Sequence, residues 1–305
     1  MPDFFHHTNR GHQRRDKSGR GTTPGGQRGY SGFSSEQSRA NTGKVRNILR
    51  TSSARPQTSP GMLQRLAAPG AITVTPCSKL PRQIFSRGGC GGGTDFTHND
   101  FQSLSGVGAA GRALVWQADN LSTDFRLRND MRLELGILAG SEGWRMVDHF
   151  AGGSGTTLSH DNASTLGSAA LASAAFTRLN SATLTAIEAA LAAMASAGTI
   201  DCNALSLAGT TLPGVSFSFS DGFALKGIIG GTQGLRIRLT ELTVDPVSRS
   251  YDIGLQYLIC DDFGVDTADL YSPALAAFWV LQHRRSGNLP FINELDLTRS
   301  ASGSF

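Results

Sequence analysis

Charge is scarce in this sequence: Asp, Glu, Lys and Arg make up 17% of the 305 residues, against roughly a quarter in an average soluble chain. Long apolar runs are lacking too. No window approaches the roughly 18 apolar residues of a membrane-spanning helix. The first residues, MPDFFHHTNRGHQRRDKSGR, hold no apolar stretch of the kind a secretory signal requires. Cysteine is limited to Cys77, Cys90, Cys202 and Cys260. These lack the close pairs of a zinc site and are too scattered for a disulfide framework, so reduced, structural thiols are expected. Collagen, coiled-coil and disulfide-scaffold classes are thereby excluded.

What is present is unevenly spread. Hydrophobic residues are 39% of the chain, enough for a core, and glycine is abundant at 37 residues. Residues 1–60 hold eleven Lys/Arg against three Asp/Glu, a balance of +8; the remainder holds 17 against 21, or −4. Up to about Thr75 the composition is Gly, Ser, Thr, Gln, Arg and Pro, which cannot bury enough surface to offset the entropy of ordering. A disordered basic arm over 1–75 is expected. It reads first as a solvated tether and only weakly as a nucleic-acid contact. A Gly-rich linker over 76–112 follows, in which Gly88, Gly89, Gly91, Gly92 and Gly93 surround Cys90. With no apolar strand before it and no Lys-Ser/Thr after it, this run reads as a hinge and not as a phosphate loop.

A single α+β domain is predicted over 113–299, with a helical first half, an antiparallel sheet after it and a disordered tail at 300–305. Apolar spacing predicts a helix through Phe125, Met131, Leu135 and Leu138, capped at Ser122 or Thr123 and stopped at Gly140. A short helix carrying Trp144, Val147 and Phe150 follows. The strongest helical signal places Leu184, Ile187, Leu191 and Met194 on one face, with Ser181 able to cap the start and Gly198 the end. Its alanine face implies no cofactor. Beyond about 212 the period becomes two, predicting strands at 215–219, 235–245, 251–263 and 289–297, with a helix over 271–283 that carries Pro273 in its first turn.

Two clusters could carry chemistry. One is Asp252, Asp261, Asp262, Asp266 and Asp269 followed by His283, Arg284 and Arg285. Neighbouring carboxylates can hold a hard cation or divide into acid and base, although turns and helix starts also attract aspartate for capping. The other is Asp148, His149, Ser154, Ser159, His160 and Asp161 around the Gly152–Gly155 loop. It contains the residue types of a nucleophile–base–orienter set without a strand-to-helix nucleophile turn.

The run Cys260-Asp261-Asp262-Phe263-Gly264-Val265-Asp266, then Phe278-Trp279-Val280-Leu281-Gln282-His283, then Leu289-Pro290-Phe291-Ile292, resembles an uncharacterised domain family of Gram-negative bacteria. Met146-Val147-Asp148-His149-Phe150 with Gly152–Gly155 resembles its earlier motif. Members occur alone or fused to PAAR-type secretion-tip modules, a setting typical of polymorphic toxins and type VI effectors. Asp262 stands where the family has histidine, and Gly230–Gly234 replaces its N-D-x-W-A run.

The resemblance implies an effector or toxin of interbacterial competition. A hydrolase would use His149 or His283 as general base and Asp261 or Asp266 as orienter or cation ligand, with the metal and any cofactor left open. Immunity and secretion-tip proteins would be its partners. The chain would start in the producer's cytoplasm and leave by a route that needs no signal. The alternative is a non-enzymatic binding or structural protein using its sheet and Ala-rich helix for protein contacts.

Overall fold

The computed structural model describes residues 71–92, 96–98 and 102–305. The reading of 1–70 as a basic arm lies outside these residues. The rest is α+β, with five strands in one mixed sheet and a small two-stranded parallel sheet beside it. The strands are β1 (Thr73–Thr75), β2 (Arg82–Gly88), β3 (Leu158–Asp161), β4 (Thr199–Asp201), β5 (Gly234–Asp245), β6 (Ser250–Phe263) and β7 (Phe291–Ser304). The helices are α1 (Ala109–Leu121), α2 (Asp124–Ala139), α3 (Ser141–Ala151), α4 (Thr165–Ala172), α5 (Ala174–Ser196), α6 (Phe223–Ile228) and α7 (Pro273–Arg284).

The main sheet runs β2-β5-β6-β7-β3, antiparallel except for β3 on β7. Its centre follows from two-residue alternation. Leu235, Ile237 and Leu239 of β5 face the same side as Ile259, Tyr257 and Leu255 of β6, their directly opposed partners, and all six are buried. Asp245 closes the β5–β6 hairpin by accepting from Val247 N at 2.9 Å and Ser248 Oγ at 2.6 Å. Helices cover this face. Phe176 of α5 meets Tyr257 edge-on at 5.0 Å, and the Tyr257 hydroxyl donates to Asn180. A second aromatic group joins Phe150 of α3, Phe278 of α7, Phe263 of β6 and Phe291 of β7, with ring centroids 4.6–5.0 Å apart along the chain of contacts.

Caps lie where the residue chemistry places them for α2 and α7. Thr123 Oγ1 accepts from Arg126 N, Gly140 ends α2 with φ of 58°, and Pro273 opens α7 behind Ser272. The long helix begins earlier than expected: Ser173, not Ser181, caps it by accepting from Phe176 N at 3.1 Å.

Several expected boundaries differ. The 76–112 segment read as linker contains β2 and the start of α1, and β1 lies in the last residues assigned to the arm. Strand β2 holds just two buried apolar residues, Ile84 and Phe85, so its pattern is weak; its backbone is satisfied by β5. Two of its arginines bind a distant loop, Arg82 through the carbonyls of Cys202, Asn203 and Leu205 and Arg87 through those of Leu212 and Pro213. The tail read as disordered from 300 continues β7 against β6, where Gly303 faces Tyr251 so closely that a side chain there would strike its ring. Residues 215–219 form no strand. Val215 and Phe217 are buried, but the segment touches Gly230–Thr232 through one isolated bridge and turns away at Phe219.

The cysteines are the clearest correction. All four pair: Cys77 with Cys202 beside the β1–β4 sheet, and Cys90 with Cys260 from the end of β2 onto β6. The Cα separations of 4.8 and 6.2 Å lie in the range that a disulfide spans. Residues 125 and 170 positions apart become neighbours because β1 pairs with β4 and because Gly88, at the end of β2, lies opposite Gly234, itself opposite Cys260.

Candidate functional site

The four candidate residues fall around the ends of β6 and α7. His149 is in the last turn of α3, half-buried, with Nε2 donating to Thr156 O at 2.8 Å and its ring edge-on to Phe291 at 4.5 Å. The glycine loop behind it packs against the turn after α7. Gly153, at φ of 63°, backs onto the Gly287 carbonyl so closely that a Cβ would collide with it, and Leu289 N donates to Phe150 O. Phe291 in turn stacks on Phe263 at 4.7 Å, so His149 reaches the acidic end of β6 through two aromatic rings.

His283 is fully buried in the last turn of α7, and its Nε2 donates to Val265 O at 3.0 Å. Its neighbour Gln282, also fully buried, accepts from Val265 N at 3.0 Å and donates to Thr97 O at 2.6 Å. Consecutive residues of α7 thus hold both polar backbone groups of Val265, which fixes the loop leading to Asp266. Asp266 accepts from Ala268 N at 2.6 Å while its own N–H donates to Asp269 Oδ2, a reciprocal cap on the turn Thr267–Asp269. Asp261 is opposite Asn293 in the β6–β7 register, on the helix-covered face. Structure therefore places His283 and Asp266 at one loop, Asp261 at the adjoining strand end, and His149 beyond the Phe291 ring.

The pattern did not single out the role of Asn293, nor that of His160 within its cluster. Both are fully buried, and His160 Nε2 lies 2.8 Å from Asn293 Oδ1. Arg145 Nη1 lies 3.4 Å from His160 Nδ1 and 3.3 Å from Glu142. A guanidinium only donates, so Nδ1 is the acceptor and Nε2–H donates to Asn293, which is the neutral imidazole. Desolvation, with the Arg145 charge adding to it against the Asn293 hydrogen bond, holds the imidazole pKa below its ordinary 6.5. The unfolded chain takes up a proton near 6.5 that the folded protein refuses. This residue's contribution to stability is therefore complete above 6.5 and is lost as pH falls from there toward the lower folded value. Thermal unfolding at pH 7.5 and 5.5 should show a drop at the lower pH that shrinks in His160→Asn; an equal drop in the variant would remove this account.

Two openings are relevant to ligands. The acidic one, lined by Lys226, Asp261, Asp262, Asp269 and Tyr271 among others, is about 70 Å³, room for a few waters. Burial pushes the Tyr271 hydroxyl up to about 12, so it stays protonated as a donor at neutral pH. The second opening is a groove of about 440 Å³ between α1, α2 and the start of α7, with Leu114, Ala118, Leu133, Ile137 and Pro273 on its walls and Asp130 and Glu134 among them. Ligand sites generally occupy about 300–1,000 Å³, a range that takes in the groove and leaves out the acidic cleft. Among the described residues no cluster of three or more His, Cys, Asp or Glu has metal-binding geometry, and no helix is long and apolar enough to cross a membrane.

Compared with protein families, curated proteins and solved structures, the chain matches none.

The groove opens onto an apolar surface. On its wall Leu133 is 67% and Ile137 77% exposed; Phe125 of α2 and Trp116 and Leu121 of α1 are exposed too but do not line it. The helical period of α2 groups Phe125 with the core residue Met131. In fact α2 carries two apolar rows, Leu127 and Met131 inward and Phe125, Leu133 and Ile137 outward.

Proposed function

We propose that this chain is a protein-binding module acting in an oxidising compartment, the non-enzymatic of the two readings its sequence leaves open. The observation that carries this is a groove of ligand-binding size between α1, α2 and α7 on whose wall the exposed apolar side chains of Leu133 and Ile137 adjoin Leu114 and Ala118. Scattered apolar residues on a surface need no explanation, but a contiguous set rimmed by polar groups marks an interaction site. The candidate histidines support the same reading, because each uses a ring nitrogen to hold a backbone carbonyl, His149 that of Thr156 and His283 that of Val265. The paired cysteines support the compartment, since such bonds persist outside reducing cytosol. The interface lies on α1 and α2, not on the sheet and Ala-rich helix. The setting is the one the motif resemblance implies, an effector-type domain delivered to a neighbouring bacterium.

Production of the chain in bacterial periplasm and cytoplasm, with growth as readout, tests this reading. The binding module predicts that any growth defect is lost in Ile137→Asp and kept in His149→Ala and Asp261→Asn, with the folds of all three verified by circular dichroism. A defect kept in Ile137→Asp and lost in the histidine or aspartate variant would replace it with the hydrolytic reading.

A further inference from the structure

We propose that the outward face of α2 is an isologous interface on which a second copy of this chain packs antiparallel. This rests on the reading of that face as a binding surface and names its occupant. The outward row runs Phe125, Asn129, Leu133, Ile137, one residue every fourth position, and it is symmetric about Met131. An antiparallel copy centred there sets Phe125 against Ile137 of the other chain and Leu133 against its Asn129, so one pattern serves as both surface and complement.

Charge selects the same orientation. Arg126 precedes the acidic pair Asp130 and Glu134 along the groove wall. A parallel copy would lay Arg126 on Arg126 and Glu134 on Glu134. An antiparallel one brings Arg126 of each chain to the turn carrying Glu134 and Ile137 of the other, twice by symmetry. Glu134 is suited to receive it. Its carboxylate accepts from the Ser272 hydroxyl at 3.1 and 3.2 Å, no salt bridge reaches it among the described residues, and burial holds its pKa above the ordinary carboxylate value. An arriving guanidinium would compensate that half-buried charge, while the groove between α1 and α2 takes up apolar side chains of the opposing helix.

Sedimentation equilibrium on the full chain over a range of concentrations tests this. The expected result is a dimer. Arg126→Glu puts like charges at both symmetric contacts and is expected to weaken association at least about tenfold; Glu134→Arg does the same. Mixing those two variants restores opposite charges at both contacts and is expected to recover a mixed dimer. Because Glu134 also braces the Ser272 cap of α7, Ile137→Asp, at a 77% exposed position, provides a variant that leaves the fold alone and is expected to give monomer. A monomer at every concentration, or a dimer indifferent to Arg126→Glu and Ile137→Asp, overturns the proposal. The growth assay above then decides separately whether the face binds another protein.

Discussion

Reduction of the two disulfides is expected to lower the stability of the folded body by several kcal/mol. Cys77–Cys202 and Cys90–Cys260 close loops of 125 and 170 residues. Loop-entropy reasoning assigns about 4.7 kcal/mol to a loop of about 100 residues, and loss of a native bridge from a small secreted domain commonly costs about 2–5 kcal/mol. The two bonds secure different parts. Cys77–Cys202 holds the three-residue β1 to β4, a sheet too small to persist alone, while Cys90–Cys260 pins the exit of β2 to the centre of the main sheet. Urea unfolding with and without reductant should show the midpoint fall on reduction, and Cys90→Ser with Cys260→Ser should reproduce part of that fall. An unchanged midpoint would mean that the bonds contribute nothing to the native state.

The second large effect is expected at Phe291. Its ring is fully buried, stacks on Phe263 and receives the edge of His149. Alanine there removes the ring and leaves a void bounded by β6 and α3 that neither rigid element can fill, a loss of about 3–5 kcal/mol. Two consequences distinguish this from a generic core defect. The edge contact of His149 disappears, so its imidazole resonances should shift on the NMR spectrum. The contact between the glycine loop and the turn after α7 should loosen as well, read by faster amide exchange at Leu289, whose N–H is bonded to Phe150 O. Phe291→Leu, which refills most of the volume, should recover much of the stability.

Parts of this structure are legible in the sequence because they are encoded locally. Alternation of Leu235, Ile237 and Leu239 with arginine, Asp245 and Pro246 at a turn, and Pro273 behind Ser272 each specify one element by short-range chemistry. Strand β2 is illegible for the opposite reason. It is a strand because β5 supplies its hydrogen bonds, and two apolar residues in seven give no usable period. The 300–304 stretch likewise becomes β7 through its pairing with Ser250–Gly254. Cysteine pairing across more than a hundred residues leaves no local trace.

At the candidate site the residue types were visible and their duties were not. That His283 and Gln282 hold Val265, or that Asp266 caps its own turn, depends on where loops fold back. His160 sits on a four-residue strand whose burial is set by α3 and β7 rather than by its neighbours in sequence. For α2 the difficulty was ambiguity: with one apolar row on each side, periodicity alone does not say which row is inside, and the outer one proves to be the exposed face.

One folded body runs from β1 to the end of β7, closed by two specific cysteine pairs on which the proposed oxidising compartment rests. Peptide mapping by mass spectrometry under non-reducing conditions tests this most directly. The expected linked peptides join Cys77 to Cys202 and Cys90 to Cys260, with no alkylatable thiol in the folded chain. A link between Cys77 and Cys90 would contradict the topology, and four free thiols would contradict the proposed compartment.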